Sequence, residues 1–293
     1  MRPAFTPLRR ADLTVRPARD NDLPALRRLV ETSARVHLHL DWWTLEDWIG
    51  NPACLIAEAD QRIVGLGMGV RDASEVAWLR AVVMEDGLSV NVLLDVLLPS
   101  MLAALRLQGI RQLACMAWAN WLSDRLPEHN FSPMTRVVTL AQNDATFPPR
   151  KSMNGILLRE AEPTDLDTIT ALDHAAFGTE WWYSGTTFFR AMHDQTRFIV
   201  VERKGLPVGY GFGHVFGAQA HITRLAVHPE QQGQGLGTRL LEALITHFRA
   251  QGAETITLNT QTDNEDALRL YRHFGFTSAG DVVTVWRTSL VSL

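Results

Sequence analysis

The segment HPEQQGQGLGTRLLEALITHF, from His228 to Phe248, places three glycines on alternate positions directly before an apolar helical pattern. Because Gly233, Gly235 and Gly237 lack side chains, their backbone amides can turn toward one point at the start of the predicted helix. Unpaired amides and the helix dipole favour an anion at such a position. The pattern therefore predicts a phosphate-binding loop.

Three loop families share this physics. A Walker loop needs Gly-Lys-Ser/Thr, and no lysine is present here. A dinucleotide-binding loop needs a third glycine where Thr238 stands and an acidic residue after the next strand, which ends at Asn259. The third pattern, Q/R-x-x-G-x-G/A, is met by Gln232–Gly237 and resembles the pyrophosphate loop of the GNAT superfamily of acyl-CoA N-acyltransferases.

A second segment strengthens this resemblance. NEDALRLYRHFGF, from Asn264 to Phe276, is similar to the superfamily element N-x-x-A-x-x-L-Y-x-x-x-G-F. Asn264 and Tyr271 are two helical turns apart, so the spacing predicts that they share one face of a helix. The resemblance covers residues 156–293.

The resemblance implies an acyltransferase that moves an acetyl or short acyl group from acetyl-CoA, or another acyl-CoA, to an amine by direct attack in a ternary complex. It implies Tyr271 as the acid that protonates the leaving thiolate, and His221 as the base, with His214 as a competing base. The cofactor residues that it implies, in the pantetheine-pairing strand, the loop and the following helix, are Leu225, Ala226, Val227, Gln232, Gly233, Gln234, Gly235, Leu236, Gly237, Thr238 and Asn264.

The elements that must position these residues can be read from the apolar pattern. HITRLAVHP predicts a strand with Ile222, Arg224 and Ala226 on one face and Thr223, Leu225 and Val227 on the other. The helix after the glycines should pack on the sheet through an apolar stripe made of Leu236, Leu240, Leu241, Leu244, Ile245 and Phe248.

The chain also contains an internal repeat. Arg16 and Asp22 match Arg159 and Asp165 at an offset of 143 residues, and similar offsets relate the glycine-marked hairpins and the later strands. The repeat predicts an α/β protein of two tandem GNAT domains, each a mixed, mostly antiparallel sheet flanked by helices. The predicted boundaries are 12–142 for the first domain, 143–155 for a linker and 156–293 for the second.

The first copy lacks the chemistry of the second. Its equivalent loop, MEDGLSVN, keeps only Gly87 and sets Glu85 and Asp86 where amides should meet a phosphate. Leu126 stands in the place of Tyr271, and Ala119 in that of Asn264. We therefore expect a degenerate N-terminal copy that shapes the acceptor cleft or an interface and does not bind coenzyme A.

Composition limits the partners. The chain has 293 residues and a net charge of −4, without the basic patch of a nucleic-acid binder. Cys54 and Cys115 are predicted to be buried thiols, and the most apolar run is interrupted by Asp95 and Pro99, so we expect a cytoplasmic protein with no membrane partner. A small-molecule amine is the expected acceptor, no metal is expected, and the chain is expected to be a monomer or a homodimer.

Several alternatives remain at this stage. The chain could be a non-catalytic acyl-CoA sensor, or a nicotinamide-dependent oxidoreductase with an unusual glycine loop. Trp181, Trp182 and Tyr183 could line the acceptor pocket or pack in the core. His37 and His39 suggest a metal only weakly, because no further ligand spacing completes a site.

Overall fold

The computed structural model describes residues 8–144, 155–194 and 197–290, which fall into two compact units. The first unit contains the chain up to Thr135 together with the segment that begins at Val283, and the second contains Arg136–Val282. Most of the predicted linker, residues 145–154, lies outside the described residues.

The elements of the first half alternate as the sequence predicts, with one additional short strand, β2. Their bounds are β1 Thr14–Pro17, α1 Leu23–Thr32, β2 Arg35–Leu38, β3 Cys54–Ala59, β4 Arg62–Arg71, β5 Val76–Met84, α2 Val90–Leu107, β6 Gln112–Met116, α3 Asn120–Ser123 and β7 Ser132–Gln142.

The second half repeats this order, except that the helix α5 stands where the first half has the strand β2. Its elements are β8 Ile156–Glu160, α4 Leu166–Ala176, α5 Gly185–Asp194, β9 Arg197–Arg203, β10 Leu206–Phe216, β11 Gln219–Val227, α6 Leu236–Ala250, β12 Thr255–Gln261, α7 Glu265–His273 and β13 Thr277–Ser289.

Each unit contains a mixed, mostly antiparallel sheet. In the first unit the strand order is β1-β3-β4-β5-β6-β13, and in the second it is β8-β9-β10-β11-β12-β7. The parallel neighbours are β5 with β6 and β11 with β12, in each case joined by the long helix α2 or α6. The predicted fold class is confirmed.

The predicted domain boundaries need a correction at the last strand of each copy. Residues 137–142 of β7 pair with β12 in the second unit, and residues 285–289 of β13 pair with β6 in the first. The two copies end in strands of the same kind, and apolar alternation within a strand does not reveal which sheet accepts it. The boundaries 12–142 and 156–293 therefore do not describe the structural units.

The repeat is visible in matching ion pairs. Arg16 binds Asp22 at 2.7 Å and also Glu58 in the first unit. Arg159 binds Asp165 at 2.7 Å and also Glu202 in the second. In both units an arginine near the start of the sheet thus fixes the turn that precedes the first helix.

The helices pack on the sheets through the predicted apolar faces. All six residues of the predicted stripe of α6 are buried. Helix α2 is long and apolar enough to cross a membrane by length and composition alone, and Pro99 lies inside it. However, Leu93, Leu97 and Leu105 of α2 are among the most buried residues of the first unit, which is the behaviour of a core helix.

Candidate functional site

The glycine loop has two kinds of glycine. Gly233 and Gly235 have φ of 73° and 84°, a left-handed conformation that side-chain-bearing residues seldom adopt, and Gly235 is the N-cap of α6. A Cβ on Gly237 would lie 3.4 Å from Cδ2 of Leu270, which is an ordinary van der Waals contact. The loop thus needs glycine for backbone shape at Gly233 and Gly235, whereas packing does not require it at Gly237.

Side chains around the loop hold it in place. Nε2 of Gln232 donates to the carbonyl oxygen of Val227 at 3.1 Å, which ties the loop to the end of β11. Arg203, at the end of β9, donates through Nη1 to Gln231 at 2.7 Å and to Gln234 at 2.6 Å. Sequence reasoning missed Arg203, because it is about 30 residues from the loop in the chain and joins it only through the sheet.

Strand β11 changes neighbours along its length. Its residues Gln219–Ile222 pair with β12, and its other edge pairs with β10 throughout. From Arg224 to Val227, no strand among the described residues pairs with the edge that faces away from β10. This edge of the backbone is therefore available for pairing with an extended ligand, except at the carbonyl oxygen of Val227, which accepts from Gln232.

A β-bulge interrupts β11 at the same place. Phe212 lies opposite Arg224 and Gly213 lies opposite Ile222, so Thr223 is the additional residue. The predicted alternation of faces is wrong at this point. Ile222 packs with the residues of α6, whereas Arg224 bonds to Asp173 of α4.

In the first unit the equivalent edge is occupied. The pairing registers relate β5 to β11 by an offset of 143 residues, so Ala81–Met84 corresponds to Arg224–Val227. Strand β2 pairs antiparallel with Ala81–Met84 on the edge away from β4. The chain itself thus fills, in the first unit, the position that stays open on β11.

One of the two acidic residues of the first copy takes part in this closure. Asp86 accepts a hydrogen bond from the backbone N–H of Ala34 at 3.0 Å, directly before β2, and Glu85 pairs with Arg62. Nη1 of Arg35 donates to the carbonyl oxygen of Leu88 at 3.2 Å. These acidic residues were expected only to repel a phosphate, but Asp86 also anchors the strand that fills the edge.

The predicted acid and pantetheine contact lie on or next to α7. Tyr271 is 7% exposed, burial raises its pKa to about 12, and its hydroxyl has no hydrogen-bond partner among residues 8–144, 155–194 and 197–290. Asn264 is the N-cap of α7, and its side-chain oxygen accepts from the N–H of Ala267 at 3.2 Å. The side-chain oxygen of Asn264 thus caps the helix while its amide N–H groups remain for a ligand, and Asn264 lies directly before α7, not within it.

The two candidate bases face each other across β10 and β11. His214 and His221 are paired in the register, with ring centroids 5.9 Å apart. Nδ1 of His221 hydrogen-bonds to Oγ1 of Thr257 at 2.8 Å. Burial, with a smaller contribution from His214, lowers the pKa of His221 to about 4, and burial also lowers the pKa of His214. A neutral His221 is therefore maintained at physiological pH.

Beside the open edge lies a buried polar cluster that the sequence did not reveal. Nε of Arg224 donates to Oδ1 of Asp173 at 2.6 Å, and the hydroxyl of Tyr210 donates to the same oxygen. The Arg224 guanidinium lies 3.9 Å from the ring centroid of Phe177 and 4.0 Å from that of Tyr183. The cluster fixes an aromatic segment between α4 and α5.

That segment, residues 177–183, also bonds to α4. Nε1 of Trp182 donates to the carbonyl oxygen of Phe177 at 2.9 Å, and the Trp182 ring stacks on His174 at 4.2 Å. Nη2 of Arg224 donates to the carbonyl oxygen of Trp181 at 2.6 Å. Trp181, Trp182 and Tyr183 are only partly buried, so they are not part of the inner core.

The fold and this loop define an acetyltransferase architecture, and comparison with known proteins agrees. Residues 159–276 match the model of the acetyltransferase (GNAT) family. An uncharacterized N-acetyltransferase of Methanocaldococcus jannaschii is 32% identical over 122 residues, which cover 41% of this chain and 78% of that protein. The chain belongs to the GNAT family of acetyltransferases.

Two further proteins are similar to this chain, one in sequence and one in fold. A mycothiol acetyltransferase of Arthrobacter sp. is 33% identical over 109 residues, covering 37% of this chain but only 33% of that protein. A tandem GNAT protein from the clavulanic acid biosynthesis pathway has a TM-score of 0.62 at 13% identity, over 96% of this chain and 99% of that one. The predicted tandem organisation of the fold is confirmed.

Proposed function

We propose that the second unit transfers an acetyl or other short acyl group from acetyl-CoA to the amine of a small molecule by direct attack in a ternary complex. The observation that carries this proposal is the open edge of β11 from Arg224 to Val227, directly before a left-handed glycine loop at the start of α6. An unpaired strand edge followed by unpaired helix amides suits a ligand with an amide-containing arm and a diphosphate.

Successive residues of the chain are assigned to successive parts of the cofactor. Backbone groups of Leu225, Ala226 and Val227 would pair with the pantetheine amides, and the backbone amides from Gly233 to Thr238 would bind the diphosphate, while Gln232 holds the loop against β11. Arg203 supports this assignment, because Nη1 alone is used by the loop glutamines and the other guanidinium nitrogens have no hydrogen-bond partner among the described residues. The amide N–H groups of Asn264 would bind the arm beside α7.

The chemical roles use groups in their neutral forms. Tyr271 stays protonated at neutral pH because burial raises its pKa, so it can donate to the departing thiolate. His221 stays unprotonated because burial lowers its pKa, so it can accept a proton from the amine directly or through water. His214 is the competing base, since it lies in register with His221.

The first unit would not bind the cofactor. Strand β2 occupies the edge that a pantetheine arm would need, and Leu126, which has no ionisable group, stands where the second copy has Tyr271. The acceptor is proposed to be a small molecule on the basis of the similarity to a mycothiol acetyltransferase, which concerns only part of that protein. One acetyl-CoA per chain is the expected stoichiometry.

The test is acetyl-CoA binding followed by turnover. Isothermal titration should give one site per chain, and acetyl-CoA should raise the melting temperature because it binds only the folded state. Thiol release over a panel of small amines should then identify an acceptor. Two sites per chain would refute the assignment to one unit, and binding without turnover on any amine would indicate a sensor.

A matched pair of variants locates the site. Gly235→Asp places a carboxylate where the diphosphate should bind and should abolish acetyl-CoA binding. Gly217→Asp makes the same substitution at another glycine of positive φ, in the turn between β10 and β11, and should leave binding unchanged. Normal binding by Gly235→Asp would show that the glycine loop is not the phosphate site.

A further inference from the structure

The two copies differ at three buried positions that lie together. At the offsets given by the strand registers and the first helix, Asp173, Tyr210 and Arg224 of the second unit correspond to Val30, Leu66 and Ala81 of the first. Leu66 and Ala81 are fully buried in an apolar cluster, against which Val30 packs. One copy therefore has an apolar core where the other has a buried ion pair and a hydroxyl.

The polar cluster is costly unless it is satisfied, and in the second unit it is. Asp173 is 0% exposed and Arg224 9% exposed. Oδ1 of Asp173 accepts from Arg224 and Tyr210, and Oδ2 accepts from the backbone N–H of Tyr183 at 3.1 Å. Because replacing such an ion pair by apolar residues is often neutral or stabilising, stability alone does not explain why the second copy retains it.

The segment that follows the first helix also differs between the copies. In the first unit residues 35–38 become β2 and cover the edge of β5. In the second unit the corresponding segment, residues 177–183, forms a 3-10 turn at Thr179–Trp181 and no strand. It is attached at Trp181 and Tyr183 to Arg224 and Asp173, that is, to the first residue of the open edge and to α4.

We propose that Asp173, Tyr210 and Arg224 are positioning residues that hold the segment 177–183 beside the edge of β11 and so keep that edge free for the arm of the cofactor. This role rests on the proposed function. It explains why the same fold has a filled edge where Val30, Leu66 and Ala81 are present and an open edge where the polar cluster is present.

The role can be tested by comparing a ligand that has the pantetheine arm with a ligand that has only the phosphates. Acetyl-CoA uses both the strand edge and the loop, whereas adenosine 3′-phosphate 5′-diphosphate carries the diphosphate but lacks the arm. The full chain with Asp173→Asn should bind acetyl-CoA at least about tenfold more weakly, which corresponds to the loss of one or two main-chain hydrogen bonds. Its affinity for the nucleotide fragment should stay within about twofold of the wild type.

Two further variants give the controls. Arg159→Met breaks a partly buried ion pair in the same unit, between β8 and the turn before α4, and should weaken neither ligand selectively. Tyr210→Phe removes one hydroxyl but leaves the contact between Arg224 and Asp173. This variant should therefore bind acetyl-CoA more tightly than Asp173→Asn does, with an affinity close to that of the wild type. The triple variant Asp173→Val, Tyr210→Leu and Arg224→Ala should show the largest selective loss of acetyl-CoA affinity.

The outcomes are distinct. The positioning role is wrong if Asp173→Asn lowers the affinity for both ligands equally, which is the effect expected of general destabilisation in Arg159→Met. It is also wrong if Asp173→Asn lowers the affinity for neither ligand. If the triple variant does not fold, Asp173→Asn and Tyr210→Phe still decide the question. A wild-type chain that binds neither acetyl-CoA nor the fragment refutes the proposed function itself, and this role with it.

Discussion

The pairing of β2 with the edge of β5 in the first unit can be tested through a histidine in β2. His37 is 3% exposed, its Nε2 lies 3.3 Å from the carbonyl oxygen of Leu79, and Sγ of Cys115 is 3.9 Å from the same nitrogen. Burial lowers the pKa of His37 to about 4, aided by His39 and Arg80 and opposed by the hydrogen bond to Leu79. The native state therefore excludes a proton that the unfolded chain takes up near pH 6.5.

The sign and size of the effect follow from this difference. Because the folded pKa lies below the unfolded one, the stabilisation is complete above pH 6.5 and is lost as pH falls toward 4. With a pKa of about 4 in the folded state, the free energy of unfolding should fall by roughly 2 to 3 kcal/mol from about pH 7.5 to about pH 4.5 through His37 alone. Other groups titrate in the same range, so the comparison must be with a variant.

His37→Gln is that variant, because glutamine retains an N–H donor for the carbonyl oxygen of Leu79 but does not titrate. Urea unfolding at several pH values should show that the variant loses roughly 2 to 3 kcal/mol less free energy of unfolding than the wild type over this range. An NMR titration should give a pKa well below 6.5 for the His37 imidazole. Parallel pH curves for the two proteins, or a folded-state pKa near 6.5, would show that β2 does not bury His37 on β5.

Three other outcomes are expected in the second unit. Tyr271→Phe should lower kcat by about a hundredfold or more while the Kd for acetyl-CoA is unchanged, since the hydroxyl acts on the leaving group; an unchanged kcat would remove Tyr271 from the mechanism. The contribution of His221 to kcat/KM should persist down to about pH 5, because its pKa is about 4 and the neutral form accepts the proton; an acid limb near pH 6.5 that disappears in His221→Gln would contradict this. Gly235→Ala should destabilise the unit by about 1 kcal/mol in urea unfolding, because alanine must adopt φ near 84°, and equal stability would mean that the loop relaxes.

Local patterns made much of this fold predictable from the sequence. The glycines before α6 and the apolar stripe within it report on positions that are close in the chain, so loop and helix were both expected correctly. The repeat could also be recognised from the sequence, because Arg16 and Arg159 form equivalent ion pairs at equivalent positions of the two units. Such features depend on backbone conformation and periodicity, which a single sequence encodes directly.

The remaining features could not be predicted from the sequence, because they depend on contacts between residues that are far apart in the chain. Nothing in VHLHL indicates that residues 35–38 pair with Ala81–Met84, because a four-residue strand has too few alternations to specify a partner. Asp173, Tyr210 and Arg224 are separated by up to 51 residues, and each resembles an ordinary polar residue of a helix or strand. The repeat itself held the only signal: polar residues in the second copy at positions that are apolar in the first.

The open edge of β11 is informative because strand edges carry backbone groups that require partners. An unpaired row of N–H and C=O groups is a template for another chain, and folded proteins normally cover it. The first unit covers the edge of β5 with β2, and Asp86 anchors the start of that strand. The second unit has the same fold and an equivalent segment of chain, yet Arg224 and Asp173 hold that segment elsewhere. An edge that the chain could cover and does not cover is best explained by a ligand that pairs with it, which is why the asymmetry between the copies supports a cofactor site in the second unit alone.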